Sequence, residues 1–253
     1  MRNEVNKNRH HDPRIIYRGT DPTRLDNLTD AVFGIAITLL IFNLNNPNTF
    51  SSLITFTKTL PAFLISIGFL VLIWNEHLRF SEIYTLKDSK LVFLNTLFIA
   101  LIIFYVYPLR FLTLFLTSFF FNIDIGMSIK GHEVPDLMIY YGFVAFALYF
   151  TVFLLYLRAS KLKKELELND FEIFYTRQQK IRLMIMFGVP LVSIILTFIF
   201  KWGSFIWASV VGGMSYMLYT PAMMFWIRRY KRKEKEYQVE NLSETQSSAL
   251  NTP

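Results

Sequence analysis

The sequence contains no cysteine, and this absence excludes disulfide bonds, thiolate metal sites and cysteine nucleophiles. Histidine is also scarce, because the 253 residues include only four, and no pair has the His-Glu-x-x-His spacing of a zinc enzyme. Ser215 lies in Gly-Gly-Met-Ser-Tyr, an incomplete Gly-x-Ser-x-Gly nucleophile elbow with no base placed beside it. We therefore expect no enzymatic activity, no cofactor and no resident metal.

Charged residues are sparse as well, at 18% of the chain, whereas 53% of the residues are hydrophobic and 17% are aromatic. This composition is typical of an integral membrane protein and differs from that of a soluble domain with a polar surface. Six apolar stretches have about the length that crosses a bilayer, namely residues 28–44, 50–74, 91–107, 137–157, 181–200 and 203–227. The sequence predicts an all-α integral membrane protein with six transmembrane helices.

Lysine and arginine are divided unequally between the two sides of this predicted membrane domain. The N-terminal region, the second and fourth loops and the C-terminal region together carry 22 of them, and the opposite side carries four. Because cytoplasmic loops collect positive charge, both termini are predicted to be cytoplasmic. The same asymmetry accounts for the formal charge of +7, so we expect no nucleic-acid partner.

The chain divides into three predicted regions. Residues 1–20 form a flexible basic N-terminal arm, residues 21–230 form the six-helix transmembrane domain, and residues 231–253 form a polar disordered tail. Asp21 and Pro22 predict the start of the first helix, and residues 158–180 predict an amphipathic cytoplasmic helix between the fourth and fifth spans. Residues 109–121 either extend the third helix or form an aromatic segment at the membrane interface.

An aspartate at the mouth of the first helix is the first candidate for a functional residue. Asp30 precedes an apolar run, and a charge in the hydrocarbon costs about 2.5–3.5 kcal/mol on insertion scales. Suitable hydrogen-bond donors are predicted at the same depth of the membrane: Arg24, Trp74, His77 and Asn95. The alternative is that each of these residues merely lies in the headgroup region.

The first helix has a second face that is almost entirely apolar. At 100° per residue, one arc of roughly 100° holds four side chains: Ile35, Thr38, Leu39 and Phe42. Asp30 projects away from this arc, on the side of Gly34 and Ile37. If the arc meets a pore, Asp30 is therefore expected to point into the bundle of its own subunit and to organise the helix.

These residues resemble the opening of a known family of channels. Arg24-x-x-x-Leu28-Thr29-Asp30 and the apolar run after it are similar to the Arg-x-x-x-Phe-Ser-Asp motif of the transmembrane protein 175 family of potassium channels. Trp74-x-x-His77 and Asn95 also resemble features of that family. Leu28 replaces Phe and Thr29 replaces Ser, which keeps the chemistry but changes the packing around the motif. With one six-helix unit, the chain resembles the short prokaryotic type.

The resemblance implies a homotetramer in the plasma membrane, surrounded by membrane lipids, with helix 1 of each subunit lining a central pore for potassium ions. The chain lacks both the Thr-Val-Gly-Tyr-Gly carbonyl filter and an arginine ladder for voltage sensing, so passive conduction with modest selectivity over sodium is expected. By position, Ile35, Leu39 and Phe42 are predicted to form hydrophobic constrictions that gate by dewetting.

Thr38 is the only polar residue of the predicted pore face, and we predict that it contributes most to selectivity. The alternative is that its hydroxyl simply bonds to its own helix, as is ordinary in membrane spans. The remaining candidates are predicted to form the signature motif and a network that anchors helix 1: Arg24, Leu28, Thr29, Asp30, Trp74, His77 and Asn95.

A proton-coupled secondary transporter is the competing prediction, with Asp30 and His77 as the titrating pair. Transporters commonly have internal repeats and broken helices around a central polar site. The sequence has no detectable repeat and few polar residues near the predicted midplane, so this pattern favours the channel.

Overall fold

The computed structural model describes residues 12–19, 22–42, 48–84, 88–121 and 129–250. Within these residues the fold is entirely helical, with eight α-helices and two short 3₁₀ helices, at Gly131–Glu133 and Tyr216–Leu218. The α-helices are α1 (Arg24–Phe42), α2 (Phe50–Thr57), α3 (Leu60–Ile83), α4 (Ser89–Phe121), α5 (Val134–Lys161), α6 (Asp170–Lys201), α7 (Phe205–Ser215) and α8 (Tyr219–Leu250).

Four of these segments are long and apolar enough to cross a membrane: Leu60–Ile83, Ser89–Phe115, Gly131–Lys161 and Asp170–Lys201. They correspond to α3, most of α4, α5 together with the 3₁₀ helix before it, and α6, so the predicted all-helical membrane class is confirmed. The predicted sixth span, residues 203–227, consists of α7, a 3₁₀ turn and the beginning of α8. The count of six spans stays a prediction.

The predicted second span is two helices. Helix α2 ends at Thr57, and α3 begins at Leu60 after a break at Lys58 and Thr59. Pro61 occupies the first turn of α3, where its missing N–H costs no helical hydrogen bond. The proline therefore starts a helix and does not interrupt one.

Helix α4 is continuous from Ser89 to Phe121, so residues 109–121 extend the third helix. Pro108 lies inside it and cannot donate a main-chain hydrogen bond. The Tyr141 hydroxyl of α5 donates to the Pro108 carbonyl at 2.6 Å. This contact ties α5 to α4 at the position of the proline.

The connection between α5 and α6 is a tight turn, so the predicted amphipathic connecting helix is wrong. Its chain reverses at Glu167, which has a positive φ of 48°. Asn169 then caps α6 by accepting the Glu172 N–H, while the Glu172 carboxylate accepts the Asn169 N–H. The leucines that suggested an amphipathic helix are buried in the core: Leu162, Leu166 and Leu168.

The N-terminal segment, defined as residues 12–19, packs on the helical bundle where the sequence predicted a flexible arm. Ile15 is buried, and Arg18 forms an ion pair with the fully buried Glu172 at 2.8 Å. The Gly19 N–H donates to the Glu82 carbonyl at 2.9 Å, and a Cβ at Gly19 would lie only 2.2 Å from the Ser81 carbonyl oxygen. Glycine is therefore required for this close approach to the end of α3.

Helix α8 continues through residues 231–250, where the sequence predicted a disordered tail. Part of this region has a packing partner, because the Tyr237 ring stacks on Phe174 of α6 at 5.9 Å between centroids. Glu234 also accepts a hydrogen bond from Arg14 of the N-terminal segment. These contacts supply the burial that the polar composition did not suggest.

Candidate ion pathway and its polar contacts

The N-terminal end of α1 is capped by a local motif that the sequence interpretation missed. Thr23 and Asp26 exchange hydrogen bonds, since the Thr23 hydroxyl accepts the Asp26 N–H and the Asp26 carboxylate accepts the Thr23 N–H at 2.9 Å. The Ser81 hydroxyl of α3 also donates to Asp26. Asp21, the predicted cap, lies outside the described residues, and the Thr-x-x-Asp spacing was the signal for the cap that the structure has.

A buried chain of hydrogen bonds joins α1 to α3 and α4 one turn further into the bundle. His77 Nε2 lies 2.5 Å from Asn95 Oδ1, Asn95 Nδ2 donates to the Thr29 hydroxyl at 2.8 Å, and that hydroxyl donates to the Leu25 carbonyl at 2.9 Å. All three side chains are nearly inaccessible to solvent. Because the Asn95 carbonyl oxygen can only accept a hydrogen bond, the donor must be His77, in the tautomer with its proton on Nε2.

Aromatic packing holds the His77 ring in this orientation. The ring stacks on Phe98 of α4 with 5.0 Å between centroids and 13° between planes. Phe98 in turn contacts Phe33 of α1 at 6.1 Å. Phe98 therefore packs between the His77 ring and Phe33 of α1.

Asp30 makes a separate contact and does not belong to the buried chain. The Trp74 indole N–H donates to its carboxylate at 2.8 Å, which links α1 to α3. Asp30 itself is exposed, although the sequence placed it inside the bundle of its subunit. The angular position of Asp30 on α1 explains the difference. Asp30 lies at the edge of the helix face that packs on α3 and α4, so its carboxylate reaches Trp74 while the residue remains exposed.

Two residues of the signature motif lie outside both contacts. Arg24 is exposed and forms no ion pair with any residue that the structure describes. Leu28 is 54% exposed. Of the seven residues proposed for the anchoring network, the structure brings Thr29, His77 and Asn95 together, pairs Asp30 with Trp74, and leaves Arg24 and Leu28 apart.

Helix α1 has one packed face and one uncovered face. The packed face lies against α3 and α4 and consists of Thr29, Val32, Phe33, Ala36 and Leu40. The uncovered face consists of Arg24, Asn27, Leu28, Asp30, Ala31, Gly34, Ile35 and Thr38. At 100° per residue, Thr38 lies near the centre of this uncovered arc.

The four predicted pore residues do not share one environment. Ile35 is 54% exposed, and Thr38 is exposed, with its hydroxyl donating to the Ile35 carbonyl at 2.7 Å. Leu39 is half-buried and packs against the hydrophobic core. Phe42 ends α1, and its side chain lies outside the described part of the structure. The uncovered face is thus rotated toward Ala31 and Gly34 relative to the predicted arc.

A buried ion pair between α3 and α6 was not found from the sequence. Arg182 donates to both carboxylate oxygens of Glu76, and each side chain is about nine-tenths buried. The sequence interpretation counted Arg182 among the cytoplasmic loop charges and gave Glu76 no role. Glu76 follows the predicted second span among other polar residues, so its position in the sequence gave no signal of its burial.

Comparisons with known proteins agree with this architecture. Residues 24–105 match the family model described as "Endosomal/lysosomal potassium channel TMEM175". The chain is 36% identical over 231 residues to a protein of Marivirga tractuosa described as "Potassium channel", covering 88% of this chain and 93% of that protein.

A solved structure is also similar, the T38A variant of the potassium channel MtTMEM175 in complex with a nanobody–MBP fusion protein. Its TM-score is 0.80 at 34% identity, covering 88% of this chain and 99% of that chain. The cluster at the start of α1, the contacts of α3 and α4 with it and these similarities point to one conclusion. The chain belongs to the TMEM175 family of potassium channels and is not an enzyme.

Proposed function

We propose that the chain is one subunit of a homotetrameric channel that passively conducts potassium, with modest preference over sodium, through a pore lined by α1. The observation that carries the proposal is the uncovered face of α1, which lies on a helix whose opposite face is fully packed. Six membrane crossings with both termini in the cytoplasm of a plasma-membrane protein complete the proposal. The 22 to 4 division of basic residues supports this orientation.

The composition of the uncovered face supports contact with other copies of α1. Ala31 and Gly34 are small, and Asn27 and Thr38 are polar, whereas a helix facing lipid is expected to expose large apolar side chains. Small residues let transmembrane helices approach closely. With 19 residues, α1 is about 28 Å long, close to the thickness of the hydrocarbon core.

The hydroxyl of Thr38 remains suitable for contact with a cation although it bonds to its own helix. Its proton is donated to the Ile35 carbonyl, so its oxygen lone pairs are free to face the uncovered side. A cation is coordinated by lone pairs and not by the hydroxyl proton. Four such oxygens around an axis can replace part of a hydration shell, which supports a role for Thr38 in selectivity.

Apolar constrictions supply the gate in this proposal. Ile35 projects from the uncovered face one turn before Thr38, and four copies of its side chain would narrow a dry pore. Leu39 and Phe42 are proposed for further constrictions toward the other end of α1. For Leu39 this requires that its half-buried side chain reach the axis from the edge of the uncovered face.

The polar contacts at the cytoplasmic end of α1 are proposed to position this helix. The Thr29, Asn95 and His77 chain and the Asp30 contact with Trp74 fix α1 to α3 and α4. Arg24 and Leu28 are proposed to act in the assembled tetramer, since both lie on the uncovered face. No observation favours the transporter, because His77 Nε2 is engaged by Asn95 while Asp30 bonds to Trp74.

Potassium and sodium flux from liposomes tests the proposal. Purified protein should dissipate a potassium gradient, and Thr38→Ala should lower the potassium to sodium permeability ratio by several-fold. Thr96→Ala is the matched control, since Thr96 is an exposed threonine of α4 that also bonds to its own helix, at 2.8 Å. Absence of any cation leak overturns the function, and equal ratios for both variants remove Thr38 from selectivity. Native mass spectrometry of the same preparation should give four subunits.

A further inference from the structure

A groove of about 440 Å³ separates the beginning of α4 from the end of α5. Lys90, Arg158 and Lys161 lie at its rim, and Phe93, Leu94 and Leu157 form its walls. Under the proposed orientation, the rim is at the cytoplasmic surface and the apolar walls point toward the membrane interior. Charge at the surface and apolar side chains below it match the two ends of a phospholipid.

The charge at the rim is not neutralised by the surrounding protein. Neither Lys90 nor Lys161 forms an ion pair with any described residue. Arg158 donates through Nε to Asp88 at 2.7 Å, so one carboxylate faces three basic side chains. The rim keeps an excess of positive charge, which favours an anionic group and disfavours a zwitterionic one.

The walls of the groove provide a surface that an acyl chain can cover. Phe93 is 67% exposed one turn inside the first residue of α4. Leu94 and Leu157, on opposite helices, are each half-buried. A volume near 440 Å³ lies within the range of small-molecule and cofactor sites, so the groove is large enough for part of one lipid.

We infer that this groove binds one anionic phospholipid per subunit, with its phosphate among Lys90, Arg158 and Lys161 and an acyl chain against Phe93, Leu94 and Leu157. Basic pockets between transmembrane helices on the cytoplasmic side are a known way to hold such head groups. The inference rests on the proposed orientation in the membrane. Lipid binding does not require ion conduction, so the lipid-binding assay and the ion-flux assay can give negative results independently of each other.

Native mass spectrometry of the detergent-purified channel with added phosphatidylglycerol tests the site. Retention should exceed that of phosphatidylcholine with the same acyl chains, and glycerol phosphate without acyl chains should not be retained. Lys90→Gln with Lys161→Gln should weaken phosphatidylglycerol binding roughly 30-fold, since each basic residue near an anionic lipid surface raises the affinity roughly five-fold. Equal retention of the two phospholipids overturns the inference.

Two further variants locate the binding in the groove. Lys163→Gln with Lys164→Gln removes the same charge from exposed lysines of the adjacent turn and should leave binding unchanged. Asp88→Asn removes the carboxylate that pairs with Arg158 and should strengthen binding several-fold. If both lysine pairs weaken binding equally, the attraction is general surface charge and the groove is not the site.

A fluorescence measurement distinguishes lipid from a neighbouring subunit as the occupant. In Phe93→Trp, brominated phosphatidylglycerol at low mole fraction should quench the new tryptophan more than brominated phosphatidylcholine does. The parent protein, with its four tryptophans, gives the background. No additional quenching by either lipid means that another subunit covers Phe93, and this result overturns the inference.

Discussion

Asn95 connects three helices through a single amide side chain. Its carbonyl oxygen lies beside His77 of α3, and its NH₂ group donates to Thr29 of α1. An amide is one of the few side chains that can accept and donate in opposite directions at once. Each partner is buried, so neither has water as a substitute when Asn95 is removed.

Replacing Asn95 with alanine should therefore destabilise the protein. We expect a loss of about 1–3 kcal/mol, because a buried imidazole N–H loses its acceptor and the Thr29 hydroxyl loses its donor. Thermal unfolding followed by tryptophan fluorescence measures the effect. Thr96→Ala changes the next residue, which is exposed, and should shift the midpoint little. Equal shifts for the two variants would contradict a special role for Asn95.

The Asp30 contact with Trp74 predicts an asymmetric result for its two partners. Asp30→Asn keeps an acceptor oxygen for the indole N–H, whereas Trp74→Phe removes the donor and part of the packed ring. Trp74→Phe should cost about 1–2 kcal/mol, and Asp30→Asn should cost less. Unfolding midpoints compare them, and flux assays should show unchanged selectivity for both. Altered selectivity in Asp30→Asn would place the carboxylate in the ion path.

Sequence reasoning identified the residue types of this cluster but not their partners. Trp74 and His77 lie about one turn apart in the second half of α3, yet the two side chains contact different residues. Periodicity gives the direction of a side chain from its own helix. It does not give the rotation of the neighbouring helix, and this rotation decides whether Asp30 or Thr29 meets Asn95.

At the scale of the elements, one buried carboxylate makes several of the hydrogen bonds that hold the N-terminal segment. Glu172 accepts hydrogen bonds from the Ile16 N–H at 2.8 Å, from the Arg18 guanidinium and from the Asn169 N–H. The segment precedes α1 directly in the chain. Its attachment to α6 therefore limits how far the beginning of α1 can move.

Glu172→Gln should release this segment. The amide NH₂ group would face donors that now bond to a carboxylate, at an expected cost of about 2 kcal/mol for docking of residues 12–19. Because the chain has no cysteine, a single spin label at Ile16→Cys, an exposed position, reports the mobility. Glu165→Gln, an exposed glutamate of the α5–α6 turn, is the control and should leave the label immobile. A rigid label in Glu172→Gln would show that Glu172 is not required for docking.

The contact of Asp12 with Arg14, which in turn donates to Glu234 of α8, should hold the same segment until strongly acidic conditions. The hydrogen bond from the Arg14 side chain lowers the pKa of Asp12 below its usual value of 3.8. A lowered pKa means that the stabilisation is complete above about pH 3.8 and is lost as the pH falls through the value in the folded protein. The Ile16 label should therefore stay immobile from pH 8 to pH 5 and loosen below about pH 4.

Asp12→Asn isolates this contribution. Glu234 also accepts a hydrogen bond from Arg14. The loosening at acidic pH that is present in the parent protein and absent from Asp12→Asn is therefore due to Asp12. Loosening of the parent protein between pH 7 and pH 5 would contradict the assignment to Asp12.

The elements differ in how well the sequence predicted them. Apolar composition located α3 to α6, because length and hydropathy are sufficient to recognise a buried or membrane helix. It missed the start of α3, where Pro61 occupies the first turn. It also predicted a connecting helix between α5 and α6, where Asn169 instead caps the start of α6. Docking of the N-terminal segment depends on Glu172, 154 residues after Arg18 in the chain, and local patterns carry no information about such a contact.

At the scale of the whole molecule, three kinds of contact orient α1 from one side only. Its apolar face packs on α3 and α4, buried polar groups fix its N-terminal half, and the N-terminal segment ties the preceding chain to α6. Among the residues that the structure describes, the other face is largely uncovered, and Asp30 at its edge contacts Trp74. A helix held this firmly with one bare face is suited to meet its own copies around an axis, as the proposed tetramer requires.

The proposed gate should control whether water enters the pore along this axis. Ile35→Ser replaces a large apolar side chain by a hydroxyl, so four copies should admit water and raise the potassium flux several-fold. Ile103→Ser is the matched control, because Ile103 is an isoleucine of α4 with similar exposure, 44% against 54%. Liposome flux under a potassium gradient compares them, with unfolding midpoints to check that both variants are folded. Equal flux from Ile35→Ser and the parent protein would show that Ile35 does not form a dry constriction.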